Sequence, residues 1–132
     1  MANITKTTID NGGPVLKDAV MRDELLTAAG AHSFLKGTIL ARDTSTHKMV
    51  PYVKGGSTNG NGVPSAILTY QVDAAGAGDT PVRVAVDGMF RKERLVIDAD
   101  GTAANVDYAV IDLLRVYGLV PIDTRELNIY DN

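Results

Sequence analysis

The sequence contains no cysteine and no tryptophan, and only 5% of its 132 residues are aromatic. Without cysteine the chain can form no disulfide, no thiolate nucleophile and no cysteine-ligated metal site, a composition that suits a reducing cytoplasm. Binding to glycans or host receptors commonly relies on exposed aromatic side chains, so their scarcity argues against that class of protein.

The chain also has neither an excess of positive charge nor a long hydrophobic run. Its 13 Lys and Arg residues are outnumbered by 16 Asp and Glu residues, which gives a formal net charge of −3. A protein that neutralises nucleic-acid phosphates normally carries a basic excess. A membrane-spanning helix needs about 20 apolar residues, and a signal peptide needs an apolar core that residues 1–6 lack. We therefore expect no nucleic-acid partner, no membrane association and no secretion by that route.

Two short segments resemble binding loops but lack the rest of each motif. Residues 55–62, Gly-Gly-Ser-Thr-Asn-Gly-Asn-Gly, lack the Gly-Lys-Ser/Thr ending of a phosphate loop and lead into a predicted strand. Residues 98–101, Asp-Ala-Asp-Gly, resemble the opening of a calcium loop, but the twelfth position is Ala109 instead of a bidentate glutamate. We interpret the first segment as an exposed loop and the second as a turn in which Asp100 or Thr102 caps a helix.

Residues that commonly carry catalysis form no recognisable set. The two histidines, His32 and His47, lie in no His-Glu-x-x-His pattern, and no serine lies in a Gly-x-Ser-x-Gly motif. We therefore predict no catalytic residue, no cofactor and no metal ion, and a protein that is not an enzyme. The competing enzyme hypothesis requires carboxylates that meet only in the fold, for instance Asp73, Asp79 and Asp87.

Length and composition indicate one domain, since 132 residues with 45% hydrophobic and 22% charged residues can build a single modest core. Most of its predicted elements are strands, which lie at residues 34–41, 48–53, 66–72 and 82–86. Asp87-Gly88 separates the last of these from the run 89–97, and this dipeptide predicts a hairpin turn. Pro51 predicts that the second strand lies near an edge.

One helix is predicted over residues 104–117, where apolar residues recur at steps of three and four. Gly118 should end it, and Pro121 prevents its continuation. Residues 120–130 should return as an extended segment. The pattern of residues 18–29 fits a helix or a strand equally well. The fold class is therefore mainly β with one main α-helix.

The N-terminal residues are predicted to form an arm, residues 1–17, ahead of a single domain, residues 18–132. Residues 3–9 favour β structure, yet they run into the turn formers Asp-Asn-Gly-Gly-Pro at residues 10–14. Such a segment is either disordered or pairs with another molecule. In the second case the candidate binding residues are Asn3, Ile4, Thr5, Lys6, Thr7, Thr8 and Ile9.

A dense cluster of mixed charge, Arg91-Lys92-Glu93-Arg94, follows the predicted hairpin. Charged strands usually form a solvated face or protect a sheet edge. The alternative is a polar rim at a contact between subunits.

Five segments, taken in order, resemble the lambda-type head decoration family of tailed phages. They read FLKGTILARD (34–43) with KMVPY (48–52), PSAIL (64–68), VAVDGMF (84–90) with Leu95, and LLRVYGLV (113–120). The resemblance covers roughly residues 24–122, while residues 69–71 depart from the family pattern and the arm shows no detailed match.

This resemblance implies a small barrel-like fold of the β-tulip type, with residues 24–27 extended. It also implies a homotrimer that binds the major capsid protein on the exterior of the virion, at three-fold positions of the expanded head. Such a cement protein would be made in the host cytoplasm and would stabilise the head against the pressure of the packaged genome. The alternative function is a small phage tail or receptor-binding β module.

Overall fold

The computed structural model describes residues 13–98 and 105–123. Within these ranges the chain is mainly β with a single α-helix, as the sequence predicts. The elements in chain order are β1 (Val15–Ala28), β2 (His32–Phe34), β3 (Ile39–Arg42), β4 (Met49–Pro51), β5 (Pro64–Leu68), β6 (Val72–Ala74), β7 (Gly78–Arg91), α1 (Tyr108–Val116) and β8 (Leu119–Ile122).

Five of the strands close into a small barrel. Their order is β1-β4-β3-β5-β7, and β7 pairs back onto β1. Strand β8 adds to β7 in parallel, and β2 and β6 form a separate antiparallel ribbon. The barrel confirms the small barrel-like fold that the family resemblance implies.

Residues 18–29, which the sequence pattern leaves undecided, belong almost entirely to the strand β1. This strand pairs antiparallel with β7 from Val15 opposite Phe90 to Ala28 opposite Gly78. Along its second half, alternate side chains such as Leu26 and Ala28 are buried, which is the period of a strand. Because β1 begins at Val15, strand pairing extends three residues into the segment assigned to the arm.

The predicted hairpin at Asp87-Gly88 is wrong, because β7 runs through it without reversing. Gly88 has φ +127°, and a Cβ added there would lie 2.7 Å from the Cα of Ala19. Strand β1 is irregular at this point, since Asp18 has φ +58° and the register shifts on both sides of Val20. A glycine is needed at position 88 because the bulged β1 backbone passes too close for a side chain.

Three other strand predictions need correction. The predicted strand 66–72 is interrupted at residues 69–71, and its two ends belong to β5 and β6, which lie in different sheets. The predicted strand 34–41 is split by Gly37, where an added Cβ would lie 1.8 Å from the carbonyl oxygen of Arg94. The strand of Pro51 is not at an edge, since β4 lies between β1 and β3. Proline is tolerated there because β4 pairs with β1 only at Leu26 opposite Met49, two residues before Pro51.

The helix prediction is confirmed, with a later start. The carboxylate of Asp107 accepts a hydrogen bond from the backbone N–H of Val110 at 3.2 Å, so the helix begins at Tyr108. The predicted caps Asp100 and Thr102 lie outside the described residues. The C-terminal prediction is correct, since Gly118 has φ +83° and its N–H donates to the carbonyl of Arg115 at 3.2 Å.

Hydrophobic residues pack on both faces of the barrel wall. In β3, Ile39 and Ala41 belong to one buried cluster and Leu40 belongs to another. The first cluster contains the buried residues of α1, while the second contains the buried residues of the β2–β6 ribbon. A strand that is covered on both faces has a continuous run of apolar residues, which explains the consecutive apolar residues 39–41 of β3.

Candidate functional site

The carboxylates of the enzyme hypothesis do not meet. Asp79 and Asp87 are eight residues apart on β7, opposite Thr27 and Val20 of β1, respectively. Asp73 lies on β6, in the separate two-stranded ribbon. General acid–base catalysis needs its groups within hydrogen-bond reach of one substrate, and this arrangement does not provide that.

Two of these carboxylates instead stabilise local structure. Asp73 accepts hydrogen bonds from the hydroxyl of Ser33 and from Nε2 of Gln71, and the Ser33 bond lowers the pKa of Asp73 below its ordinary value. Asp79 accepts from Nζ of Lys48 at 2.6 Å and from Oγ1 of Thr27 at 2.9 Å, and chiefly the Lys48 bond lowers its pKa. A carboxyl group that acts as a catalytic acid needs a raised pKa, whereas the pKa values of Asp73 and Asp79 are lowered.

The two histidines also have structural partners. His32 Nε2 lies 2.8 Å from Oδ1 of Asp98, and its ring packs edge-on against Phe34. His47 has φ +64° in the turn before β4, where its carbonyl accepts a hydrogen bond from Arg42 at 2.7 Å. Among residues 13–98 and 105–123, no three His, Cys, Asp or Glu side chains are grouped so that they could hold a metal ion.

Residues 55–62 form a loop that is held by hydrogen bonds within it and to Val53. The backbone N–H of Thr58 donates to Oδ1 of Asn61 at 3.1 Å, and the carbonyl of Asn61 accepts from Val53 at 2.9 Å. The loop leads into the strand β5. It therefore lacks the helix N-terminus that a phosphate-binding loop needs.

The candidate binding residues of the arm, 3–9, lie outside the described residues, but the point where the arm joins the barrel is within them. Gly13 and Pro14 are buried there. Arg91, at the end of β7, donates its backbone N–H to the carbonyl of Pro14 and its guanidinium to the carbonyls of Gly13 and Val15. We call Gly13, Pro14 and Val15 the arm root. The sequence offers no signal for this contact, because the partners are 76 to 78 residues apart.

The charged cluster 91–94 is not one uniform face. Arg91 is half-buried on the arm root, whereas Arg94 is exposed. Lys92–Arg94 form one turn of 3-10 helix after β7. That this cluster forms the polar rim of a subunit contact stays a prediction.

A partly buried ion pair lies on the other side of β1. Arg42 makes two parallel hydrogen bonds to Glu24, at 3.1 and 2.8 Å. The Arg42 guanidinium lowers the pKa of Glu24, whose side chain is only 10% exposed. This pair joins β1 directly to β3 beside the short β4 contact.

No helix within the described ranges is long and apolar enough to span a lipid bilayer. This finding agrees with the nine-residue length of α1.

Comparison with known proteins identifies the family to which the chain belongs. The model of the bacteriophage lambda head decoration protein D family matches residues 14–119. A search of curated proteins found no match. The matched range begins in the arm root and includes the closed barrel and α1. Because the match covers most of the chain, the protein belongs to the bacteriophage lambda head decoration protein D family, a family of phage head structural proteins.

Proposed function

We propose that this protein is a capsid cement protein. It binds the outer surface of the expanded phage head as a homotrimer, at three-fold positions where neighbouring capsomers meet, and stabilises the head against the pressure of the packaged genome. The family match over residues 14–119 carries this proposal. In this function the protein is not an enzyme, its partners are the major capsid protein and its own copies, and it needs neither nucleic acid nor membrane.

Preferential binding explains the stabilisation. A protein that binds the expanded head more tightly than the precursor stabilises the expanded state by the difference between the two binding free energies. A trimer that touches several capsomers raises the effective concentration of each further contact. Individually weak contacts then add up to tight binding of the whole trimer.

The arm is the proposed capsid-binding segment. Residues 3–9 pair with an exposed strand of the major capsid protein, since their Thr- and Ile-rich composition favours extended structure. Main-chain hydrogen bonds provide this affinity and require no particular side chain. The family match begins at residue 14, and the arm root that follows residues 1–12 is hydrogen-bonded to Arg91 at the end of β7.

Co-sedimentation tests the cement function. Purified protein is mixed with expanded heads that lack it and, separately, with unexpanded precursors. We expect it to sediment with expanded heads only and to saturate at one trimer per three-fold position. Binding to neither particle would reject the cement function and favour a tail or receptor-binding module, which is then tested by binding to host cells.

Arm variants test the strand pairing. Deletion of residues 1–12 should weaken binding to expanded heads by at least roughly a hundredfold, because it removes one of several linked contacts. The melting temperature of the free protein should change little, since the described barrel begins after these residues.

A substitution within the arm separates main-chain pairing from side-chain recognition. Thr5→Pro removes a backbone N–H and should also weaken binding, whereas the matched control Thr5→Val keeps the N–H and should bind like the wild type. Equal binding by both variants would contradict strand pairing at this position. A lower melting temperature after the deletion would instead place residues 1–12 within the folded domain.

A further inference from the structure

The solvent side of α1 carries mainly hydrophobic residues. Val110, Ile111 and Leu114 are the buried residues of this nine-residue helix. With about 3.6 residues per turn, the opposite side of the helix carries five residues, four of which are hydrophobic. They are Tyr108, Ala109, Asp112, Leu113 and Val116, and we call them the α1 face. A helix at the surface of a globular protein normally carries polar residues on this side, so the α1 face needs an explanation.

Two residues of the α1 face are the most exposed large hydrophobic side chains in the described ranges. Tyr108 is 82% exposed and Val116 is 73% exposed, whereas the next side chain, Val20, is 53% exposed. Leu113 packs against the core cluster that contains the buried residues of α1, so the α1 face is fixed to the domain. A contiguous hydrophobic surface on a rigid element is typical of a contact with another protein.

Charged groups lie within and beside the α1 face. Asp112 belongs to it, and Nη1 of Arg115 lies 3.9 Å from Oδ1 of Asp112. Both side chains are largely exposed and therefore accessible to a partner. A cavity of about 300 Å³ beside Tyr108 is lined by Arg115 and by Lys92, a member of the charged cluster 91–94. Interfaces between proteins combine a hydrophobic centre with a polar rim, and this surface has both.

We propose that the α1 face packs against a second copy of the chain and forms part of the contact between subunits. This inference rests on the homotrimer of the proposed function. One acidic and one basic side chain stand next to each other, so the surface is complementary in charge to another copy of itself. In a closed ring of three copies, Asp112 of each copy faces Arg115 of the next, which gives three equivalent ion pairs beside the hydrophobic contacts.

Sedimentation equilibrium over a range of protein concentrations tests the contact. Val116→Lys places a charge in the α1 face, at a side chain that is mostly exposed within its own copy. We expect the wild type to form trimers and the association of the variant to weaken roughly tenfold for each of the contacts that it loses. Its circular dichroism should not change, because lysine favours a helix more than valine does. The matched control is Val63→Lys, at an exposed valine before β5, which should associate like the wild type.

A charge exchange tests the ion pairs. Asp112→Arg and Arg115→Asp each place like charges opposite one another in the ring, so each should weaken the trimer. The double variant exchanges both charges and should restore most of the association, because an acidic group again faces a basic one. Additive weakening in the double variant would overturn the pairing of Asp112 with Arg115.

Cross-linking on expanded heads applies the test to bound copies. Because the chain has no cysteine, Val116→Cys and Val63→Cys each carry a single thiol. A short bismaleimide should join bound copies of Val116→Cys and should leave bound copies of Val63→Cys separate. Bound copies of Val116→Cys that stay separate would overturn the α1 contact and leave the cement function intact.

The remaining outcomes separate the inference from the proposed function. A Val116→Lys protein that associates like the wild type would overturn the contact between copies. If that variant associates normally but no longer binds expanded heads, the α1 face contacts the capsid instead of a second copy. Failure of the wild type to bind heads would reject the cement function, whereas trimers that depend on Val116 in solution would still support the contact.

Discussion

Strand β1 is joined to the barrel in different ways along its two edges. On one edge it pairs with β7 from Val15 to Ala28, with bulges near Asp18. On the other edge it pairs with β4 at one position only, Leu26 opposite Met49. We call these two edges the seams of the barrel, the first with β7 and the second with β4. Side chains also contribute to the second seam, since Glu24 of β1 binds Arg42 of β3. One seam is therefore held by a long series of main-chain hydrogen bonds, whereas the other combines a single backbone pairing between two buried residues with an ion pair.

The difference teaches how a barrel with few strands can close. The long antiparallel pairing of β1 with β7 provides many hydrogen bonds, whereas β4 is only three residues long and cannot pair with β1 over its whole length. A side-chain pair is able to cover the remaining gap because it does not require strand register. The two seams should consequently respond to different perturbations, the first to backbone strain and the second to loss of charge.

The largest expected effect is at the main-chain seam. Gly88→Ala introduces a Cβ at 2.7 Å from the Cα of Ala19, at a φ that alanine rarely adopts. We expect the free energy of unfolding to fall by about 3 kcal/mol, measured by urea denaturation. Gly76→Ala is the matched control, because an added Cβ there meets no atom within 4 Å. Equal stability of both variants would mean that β1 can move away from β7 at little cost.

A smaller effect is expected at the ion-pair seam. Glu24→Gln removes the charge that faces Arg42, and we expect a loss of about 1–2 kcal/mol in unfolding free energy, reduced by the partial exposure of Arg42. A cycle with Arg42→Met isolates the coupling between the two side chains. The control is Asp23→Asn in the exposed pair with Arg83, which should change stability by less than about 0.5 kcal/mol. No coupling between Glu24 and Arg42 would show that this seam is closed by packing.

The smallest effect is the pH dependence of the same seam. The hydrogen bond from Arg42 lowers the folded-state pKa of Glu24 below its ordinary value of 4.5. Its stabilisation is therefore complete above that pH and is lost as the pH falls through the folded-state pKa. Acid unfolding of Glu24→Gln should be less steep below about pH 4.5 than that of the wild type. Identical slopes would contradict a lowered pKa for Glu24.

Local sequence rules succeed where neighbouring residues decide the structure. The helix and its end at Gly118 follow from apolar spacing and from the conformational freedom of glycine, both of which act within a few residues. The cap was misplaced because several polar residues precede the helix and the choice of Asp107 depends on where the chain enters it. Sequence also left residues 18–29 undecided, since their side-chain pattern suits either structure until β7 is present as a partner.

The sequence also predicts one part of the candidate site and gives no signal for another. The arm is visible in the sequence as a β-favouring segment separated by glycines, and its binding residues stay a prediction. The contact of Arg91 with the arm root is not visible in the sequence, because Arg91 appears there as one member of a charged cluster and its partners lie far away in the chain.

The sequence by itself determined the family, the mainly β class with one helix, and the absence of cysteine chemistry, because these depend on composition, local periodicity and the order of short segments. Only the tertiary structure decided that Gly88 permits a close approach of β1 instead of a hairpin, and that Arg91 holds the arm root. A glycine with a positive φ occurs both in turns and where two backbones approach closely. An arginine occurs both on a solvated surface and in a buried contact. Which of these occurs depends on backbone brought close by folding from distant parts of the chain.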